Sequence, residues 1–370
     1  MLKRITCFIL CSILALSLVS GCGAAKDIVT FTVTNPGNGV NIHTAIQLKY
    51  LESDDLASAT ENAIGMLELS QPKPVDFSWS IEGVEGKPSG YTVSISKNAD
   101  MKDAKTYETN SLALQVYNLE LGTDYYWTVT ANYEKESYTS APKAFSLSAN
   151  GPRNLYVDGV TNFRDCGGWN SSLGGRVRQG LIYRCGTLND GKGDEYKVRV
   201  TKEGKKVMLE DLGIKTEIDL RNDENGENTG KNKSALGKTV TYYACPMDSS
   251  LGDWLYTHRE EIKNVFAIFA DEANYPIVFH CAIGTDRTGM IAFLLNGLLG
   301  VEVEDLTRDY MFSNYGLIWG SRDPGAITGY INAMSRYGGD TLPERIRNYL
   351  LDIGVTAEQI DSVVSIMLDK

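Results

Sequence analysis

The chain has 370 residues, seven cysteines, three histidines and a formal net charge of −11 at pH 7. This length exceeds that of one domain of usual size and predicts two domains. The acidic balance argues against nucleic acid as a partner and against broad attraction to anionic lipid surfaces. The spacing of the cysteines fits neither a zinc cluster nor a small disulfide framework, and the histidines are few. We therefore expect no metal and no other cofactor.

The first residues have the pattern of a secretory signal. A basic start, MLKR, precedes the apolar run ITCFILCSILALSLV, and small residues follow directly before Cys22. The stretch LVSGC resembles the lipobox of bacterial lipoproteins, whose cysteine receives the lipid and becomes the mature N-terminus. An ordinary secretory signal and a membrane-spanning anchor are the alternatives, although roughly 15 apolar residues are short against the about 20 of a span. We expect a signal peptide over residues 1–21, a lipid at Cys22, and an exported, membrane-anchored, extracytoplasmic protein.

From Ile28 to about Ser148 the sequence predicts β-strands separated by turns. Hydrophobic and polar residues alternate in VDFSWSI, YTVSIS and DYYWTVTANY, and spacers such as NPGNG and EGVEGKPSG lie between such runs. This pattern is typical of an all-β sandwich. Trp79 and the stretch NLELGTDYYWTV resemble a fibronectin type III module, with Trp79 in the core and Tyr125 at the corner. The stretch ESDDLASATENAIG fits less well and is an insertion or a short helix.

The sandwich ends at SANGPRN, which places it over residues 22–149 and a second domain over residues 150–370. It either binds glycans or proteins, or serves as a spacer between the membrane and the second domain. In the second domain strands and helices alternate, which predicts a central sheet flanked by helices, an α/β domain. The predicted elements are a strand near Leu181, a helix over Thr201–Leu212, the strands IKTEIDL and VTYYAC, a helix from about Leu255 to Ala270, a strand over Pro276–Phe279, a helix over Arg287–Leu299, and helices through the C-terminal third.

The stretch HCAIGTDRTG, which begins at His280, joins the last strand to the helix that follows. Such a turn directs backbone N–H groups at one point beside the positive end of the helix dipole, so it predicts an anion site. The oxyanion would lie against the backbone of Ala282, Ile283, Gly284 and Thr285. The dipoles and Arg287 would stabilise Cys281 as a thiolate, which is a nucleophile. Arg287 can hold two phosphate oxygens at once, so the motif predicts phosphate-ester cleavage through a cysteinyl-phosphate.

This loop resembles the signature of the cysteine-dependent protein-tyrosine phosphatases, and most of all the bacterial branch that reads H-C-x-x-G-K-D-R-T-G. The stretches NFRDCGG from Asn162, LIYRCGTL from Leu181 and EIDLRNDEN from Glu217 follow in the family's order. The resemblance covers about residues 153–370 and implies a cysteine phosphatase-like fold. A buried structural thiol is the alternative for Cys281, but it does not account for the joint pattern.

Phosphate cleavage also needs an acid for the leaving oxygen. The resemblance gives this role to the aspartate directly before the loop arginine, which is Asp286. Other phosphatases of the superfamily place the acid on a loop about thirty residues before the cysteine, where Asp248 and Asp253 stand. Asp286 is the preferred assignment, and a solvated or salt-bridged carboxylate is the alternative for each.

The remaining candidates have supporting roles. Thr288 resembles the hydroxyl that stabilises the cysteine thiolate as leaving group, or it caps the helix. His280 orients the loop and tunes the thiolate rather than acting as a base. By resemblance Asn162, Arg164 and Asp165 line the pocket, with an internal Arg–Asp pair that holds the domain together as the alternative. Arg221, in EIDLRNDEN, is a further candidate with a structural alternative.

The family carries a lysine where this chain has Thr285, and a lysine there favours polyanionic substrates. Its absence favours phosphotyrosine, although Arg164 or Lys192 could supply charge instead. The predicted function is that of an exported, lipid-anchored phosphatase that acts on a phosphotyrosine protein or a small phosphate ester, with phosphoserine and phosphothreonine as further substrates. A phosphoinositide or inositol-phosphate phosphatase is the alternative enzyme. A module that binds phosphorylated or glycan ligands without turnover is the alternative of another class.

Overall fold

The structure, a computed structural model, describes residues 29–61, 63, 67–189, 199–222, 233–318 and 320–369. The predicted signal peptide, Cys22 and Lys192 lie outside these ranges. In the described part of the chain no helix is both long enough and apolar enough to cross a membrane.

Two antiparallel sheets make up the all-β part of the chain. Their strands are β1 (Thr30–Asn35), β2 (Val75–Glu82), β3 (Gly90–Ser96), β4 (Lys105–Thr109), β5 (Ala113–Val116), β6 (Asp124–Asn132), β7 (Ser137–Thr139) and β8 (Lys143–Ser146). One sheet has the order β1-β2-β5, and the other has the order β4-β3-β6-β7 with β8 paired to β6. The alternating runs of the sequence correspond to β2, β3 and β6.

Aromatic side chains fill the space between the two sheets. Trp79 of β2 and Trp127 of β6 are buried, and the rings of Phe77 and Trp127 meet edge to face with their centroids 5.0 Å apart. The hydroxyl of Tyr125 accepts a hydrogen bond of 2.9 Å from the backbone N–H of Glu120. Both predicted positions therefore hold: Trp79 lies in the core, and Tyr125 fixes the corner before β6.

Two helices interrupt the all-β part, α1 (Ala45–Leu51) and α2 (Leu56–Thr60), and they pack on the α/β part of the chain. Tyr50 is fully buried there, its ring centroid 5.5 Å from that of Tyr315 and its hydroxyl 2.7 Å from the carbonyl of Arg308. The short helix predicted in ESDDLASATENAIG is α2, whereas α1 was not predicted. Its signal was present, because Thr44 and Gln47 form a capping box.

A five-stranded sheet forms the centre of the α/β part. The strands of this part are β9 (Arg164–Asp165), β10 (Arg176–Val177), β11 (Ile182–Cys185), β12 (Thr216–Asp219), β13 (Thr241–Ala244), β14 (Ile277–His280) and β15 (Leu368–Asp369). The order is β13-β12-β14-β11-β9, parallel except for the edge strand β9, and β10 pairs separately with β15. The C-terminal third is thus helical except for β15. β14 is buried on both faces, as its continuous apolar run predicts.

Helices cover both faces of this sheet. They are α3 (Lys202–Lys206, continued by a π-helical turn Val207–Asp211), α4 (Trp254–Thr257), α5 (Arg259–Phe269), α6 (Asp286–Leu298), α7 (Val303–Met311), α8 (Gly325–Met334), α9 (Leu342–Asp352) and α10 (Ala357–Met367), with 3-10 turns at Glu272–Asn274 and Phe312–Tyr315. The parallel strands end at one edge of the sheet, so the loops that follow β11, β12, β13 and β14 meet there.

Direct hydrogen bonds join the all-β part to the α/β part. The side-chain amide of Gln179 bonds the backbone N–H and C=O of Leu121, each at 2.9 Å. The side chain of Asn118 bonds the backbone N–H and C=O of Tyr156 at 2.7 and 2.9 Å. Each pair fixes orientation as well as distance, so the two parts are docked rather than merely linked.

Candidate active site

The loop after β14 has the predicted strand-turn-helix geometry. Cys281 follows the strand directly and is buried, and α6 begins at Asp286. Gly284 has a φ of +73°, and a Cβ built there would lie 2.4 Å from the carbonyl carbon of Cys185. Only glycine combines this backbone conformation with so close an approach, so Gly284 lets the loop fold tightly against the end of β11.

Buried side chains hold the carbonyl groups of the loop away from its centre. Nδ2 of Asn162 donates to the carbonyls of Ile283 and Gly284, both at 3.2 Å. Nη2 of Arg184 donates to the carbonyl of Gly284 at 2.8 Å. Because a peptide unit is planar and trans, the N–H groups of Gly284 and Thr285 point to the opposite side. The loop therefore presents N–H groups together beside the start of α6, which is an arrangement that binds an oxyanion.

A buried ion network supports these two side chains from below. Asp309 of α7 accepts from Nε of Arg164 at 2.7 Å and from Nη1 of Arg184 at 2.6 Å. Arg164 in turn donates to Oδ1 of Asn162. Burial alone would raise the pKa of Asp309, but the two guanidinium groups hold that pKa below its usual range. The carboxylate is therefore ionised and fixes both arginines.

Arg164 and Asp165 were predicted to line the pocket or to form internal ion pairs. Both side chains are buried, and each forms an ion pair, although not with the other. Asp165 pairs with Arg153 at 2.7 Å and accepts the N–H groups of Gly167 and Gly180, also at 2.7 Å. Arg164 supports the loop indirectly, through its contacts with Asn162 and through Asp309, which it shares with Arg184.

His280 lies at the end of β14 and is fully buried. Its Nε2 is 3.1 Å from Oε1 of Glu217, and its Nδ1 is 3.4 Å from the carbonyl oxygen of Cys281. Glu217 is itself held by the hydroxyl of Ser234 at 2.6 Å. This chain of contacts fits the predicted orienting role, because it ties the carbonyl of the nucleophile's own residue to β12.

Glu217, Asp219 and His280 also offer one ligand atom each within 4.8 Å of one another, as a metal site would. Arg221, however, donates to both carboxylate oxygens of Asp219, at 2.9 and 2.6 Å. Burial would raise the pKa of Asp219, but His280 and Arg221 lower it. The guanidinium group of Arg221 thus already compensates the charge of Asp219, which favours an internal hydrogen-bond network over a metal site at these three residues. Arg221 has the structural role that was its alternative.

Arg287 and Thr288 occupy the first turn of α6 and are buried. Nη1 of Arg287 donates to the carbonyl of Met247 at 3.1 Å, which fixes the guanidinium group beside the loop. The hydroxyl of Thr288 has no hydrogen-bond partner among the described residues. A buried hydroxyl left unsatisfied costs about 1–3 kcal/mol, so the Thr288 hydroxyl is available to donate a hydrogen bond to an anion in the loop. The hydroxyl of Thr285 lies on the carbonyl side of the loop, away from the N–H groups, 3.4 Å from both Nδ2 of Asn162 and the carbonyl oxygen of Ile283.

The candidate acids differ in their surroundings. Asp286 accepts from Nε and Nη2 of Arg322 at 2.7 and 2.8 Å, and its side chain is 29% exposed. The carboxylate of Asp248 accepts from the N–H and hydroxyl of Ser250, at 2.8 and 2.7 Å, and stabilises a turn. Asp253 lies at the start of α4 with a φ of +49°. Asp286 is the candidate that lies in the loop itself.

A cleft of about 520 Å³ opens beside Asp286. Its walls are mostly apolar and include the aromatic side chains of Trp254, Tyr310 and Tyr330. A Cβ on Gly329, on the α8 side of the cleft, would meet no atom within 4 Å. The cleft therefore has room for a flat apolar group next to the catalytic loop.

Residues 155–360 match the family model described as the tyrosine phosphatase family, which is more than half of the chain. The chain belongs to the tyrosine phosphatase family. Membership makes it a hydrolase of phosphate esters. The predicted resemblance to bacterial tyrosine phosphatases is confirmed at this level, and the lipid anchor and the fibronectin type III likeness remain predictions.

Two curated proteins are similar to this chain. One, from Cupriavidus necator, carries the provisional name tyrosine-protein phosphatase and is 30% identical over 202 residues, which cover 47% of this chain and 67% of that protein. The other, a tyrosine-protein phosphatase of Nostoc commune, is 31% identical over 124 residues, which cover 29% of this chain and 42% of that protein.

Two solved structures are similar to parts of the chain. The core catalytic domain of the PP-IP phosphatase Siw14 from S. cerevisiae, in complex with citrate, is 20% identical with a TM-score of 0.29 and covers 42% of this chain and 87% of that domain. A fibronectin type III domain of a human protein is 19% identical with a TM-score of 0.19 and covers 26% of this chain and 86% of that domain. TM-scores this low do not establish a shared fold.

Proposed function

We propose that the chain is an exported, lipid-anchored phosphatase that hydrolyses phosphotyrosine through a cysteinyl-phosphate intermediate. The observation that carries the proposal is the loop after β14, in which buried side chains hold the carbonyls of Ile283 and Gly284 outward. Cys281 lies at the first position of this loop, and the buried Arg287 lies just beyond it. A nucleophile, an oxyanion site and a bidentate donor are thereby gathered in a few residues.

The reaction has two steps. In the first, the thiolate of Cys281 attacks phosphorus, an S–P bond forms, and the P–O bond to the tyrosine breaks while an acid protonates the leaving oxygen. In the second step, the carboxylate left after the acid has given up its proton takes a proton from water, and the water oxygen bonds to phosphorus. The S–P bond breaks, which releases inorganic phosphate and the thiolate. The loop N–H groups and Arg287 stabilise charge on the phosphoryl oxygens in both steps.

The cleft beside Asp286 supports an aryl phosphate as substrate. A phosphotyrosine held by the loop would place its ring near Trp254, Tyr310 and Tyr330, where aromatic contacts add to the binding energy. Thr285 supports the same choice, because its side chain turns away from the anion site and the loop carries no lysine for further phosphates.

Asp286 is the acid in this proposal. Its position at the first residue of α6 places it beside both the nucleophile's loop and the cleft that would hold the leaving group. Its ion pair with Arg322 must open before the carboxyl group can donate a proton, since both carboxylate oxygens accept from that guanidinium. Asp248 is the second candidate, because it follows Met247, whose carbonyl binds Arg287.

The test is phosphate release from a phosphotyrosine peptide by the chain from Asp27 onward, under reducing conditions. Cys281→Ser should abolish turnover, and Asp286→Asn should lower kcat by about 100-fold or more, with a smaller loss on p-nitrophenyl phosphate, whose leaving group needs less protonation. Cys245→Ser is the matched control, because burial raises the pKa of this thiol to about 12 and it should act only in packing. Equal activity of Cys281→Ser and wild type would overturn the mechanism.

The same assay separates the alternatives. A loss in Asp248→Asn without a loss in Asp286→Asn would move the acid to Asp248. Faster turnover of inositol phosphates than of phosphotyrosine would favour the alternative substrate class. Tight peptide binding without turnover in the folded wild type would favour a binding module. For the anchor, Cys22→Ala should move the protein from the membrane fraction to the soluble fraction, and an unchanged distribution would contradict lipidation.

A further inference from the structure

Arg322 is a cation near the nucleophile that the sequence motifs do not include. It lies between the 3-10 turn Phe312–Tyr315 and α8, and both ends of the Asn314 side chain hold its backbone. Oδ1 of Asn314 accepts the N–H of Arg322, and Nδ2 donates to its C=O, each at 2.9 Å. Asn314 is fully buried. The backbone of Arg322 is therefore fixed, and its guanidinium group bonds Asp286 at the start of α6.

The guanidinium group lies within electrostatic range of the site. Its hydrogen bond to Asp286 is the main cause of the raised pKa of Arg322, and the charge of Cys281 also contributes. The side chains of Arg322 and Asp286 are 22% and 29% exposed, so solvent and ligands reach them. This cation therefore lies at the mouth of the site rather than beneath it.

The pairing of Arg322 with Asp286 conflicts with the proposed work of Asp286. Both carboxylate oxygens of Asp286 accept charge-assisted hydrogen bonds from Arg322, so neither oxygen is placed to donate a proton to the leaving oxygen. The guanidinium group must leave before the first step. Because solvent reaches both side chains, a substrate anion can replace Asp286 as the partner of the guanidinium group.

We propose that Arg322 binds a carboxylate that flanks the phosphotyrosine of the substrate, and that this exchange releases Asp286 to act as the general acid. The inference rests on the proposed function and narrows its substrate class to phosphotyrosine peptides with an acidic neighbour. Arg322 is then a substrate-binding residue and a positioning residue for the acid. A neutral neighbour leaves Arg322 on Asp286, so it weakens binding and slows the first step together.

The test compares two phosphotyrosine peptides that differ only in an aspartate or an asparagine beside the phosphotyrosine. On the wild type the aspartate peptide should have a kcat/KM roughly tenfold higher than the asparagine peptide, because a hydrogen bond between charged groups is added. Its kcat should be higher and its KM lower. Arg322→Gln should bring the ratio of the two peptides to about one. Arg322→Lys should restore part of the preference, since the charge remains and the planar fork is lost.

The matched control is Arg347→Gln, which removes another partly exposed Arg–Asp pair, that of Arg347 with Asp361 on the C-terminal helices. It should keep the wild-type ratio. An unchanged ratio in Arg322→Gln with normal melting would overturn the inference, and so would equal rates of the wild type on the two peptides. If the folded wild type does not turn over p-nitrophenyl phosphate at all, the proposed function fails. This outcome differs from a failure of the inference about Arg322, in which the wild type is active but shows no preference for the aspartate peptide.

Discussion

Asp309→Asn tests whether the buried ion network holds the catalytic loop. The side chain of Asp309 is 7% exposed, and its carboxylate is the shared partner of Arg164 and Arg184. The amide therefore leaves two buried guanidinium groups with much less compensating charge. Breaking a buried ion pair by removing one partner costs about 3–5 kcal/mol. At about 2–4 °C per kcal/mol for a domain of 150–250 residues, the melting temperature should fall by roughly 6–20 °C.

The assay is thermal unfolding at pH 7, followed by kcat/KM on p-nitrophenyl phosphate at a temperature where the variant is folded. Activity should also fall, by about tenfold or more, because Arg184 no longer holds the carbonyl of Gly284 firmly. The control is Asp305→Asn on the same helix, whose carboxylate is 31% exposed and pairs with Arg308 at 3.8 Å. It should cost less than about 1 kcal/mol. If both variants melt within about 2 °C of the wild type, which corresponds to a loss of about 1 kcal/mol or less in the free energy of unfolding, the reasoning fails.

The network also predicts a pH dependence with a definite sign. The pKa of Asp309 is lower in the folded protein than the unfolded value of about 3.9, so the folded state gains stability from ionisation. This contribution is fully present above about pH 4 and is lost as the pH falls through the folded pKa. The difference in melting temperature between wild type and Asp309→Asn should be constant from pH 7 to about pH 4 and narrow below that. If the difference in melting temperature narrows between pH 7 and pH 5, the pH-dependent stabilisation comes from a group other than Asp309.

Three further substitutions test the loop and the packing of α1. Asn162→Gly keeps the positive φ of +56° but removes the donor to two carbonyls, so kcat/KM should fall about 5- to 150-fold; a change under about twofold would contradict the clamp. Gly284→Ala should cost about 2 kcal/mol or more, against about 1 kcal/mol for Gly213→Ala, which has a φ of +64° but open space; equal melting would exclude crowding as the cause. Tyr50→Ala should cost about 3–5 kcal/mol and the exposed Tyr256→Ala almost nothing, and similar melting curves would mean that α1 does not stabilise the α/β part.

Local patterns carried much of the prediction. The apolar run before His280, the glycines of the loop and the leucine-rich stretch after Arg287 specify strand, turn and helix within a few residues, and the structure has them as β14, the loop and α6. The alternation of β2, β3 and β6 likewise predicted strands with one buried face. These features depend on side-chain periodicity and on backbone freedom, which are properties of neighbouring residues.

The supporting residues of the site could not be found in this way. Asp309 lies within α7, Arg322 lies before α8, and neither belongs to a motif around Cys281. Arg184 stands inside the stretch LIYRCGTL, but nothing local shows that its guanidinium group reaches the carbonyl of Gly284. Their roles follow from charge pairs between segments distant in the chain, which the fold alone brings to hydrogen-bond distance.

The sequence by itself determined the local structure of the candidate site, because the cysteine, the arginine, the aspartate and the glycines of one short loop lie in a single strand-turn-helix unit. Only the tertiary structure decided how that unit is held and used. Packing places α1 on the α/β part, puts Arg164 beneath the loop through Asp309, and sets Arg322 on Asp286. Such contacts depend on which surfaces meet after folding, and burial then lets the pairs of Asp309 with Arg164 and Arg184 fix the positions of both arginines.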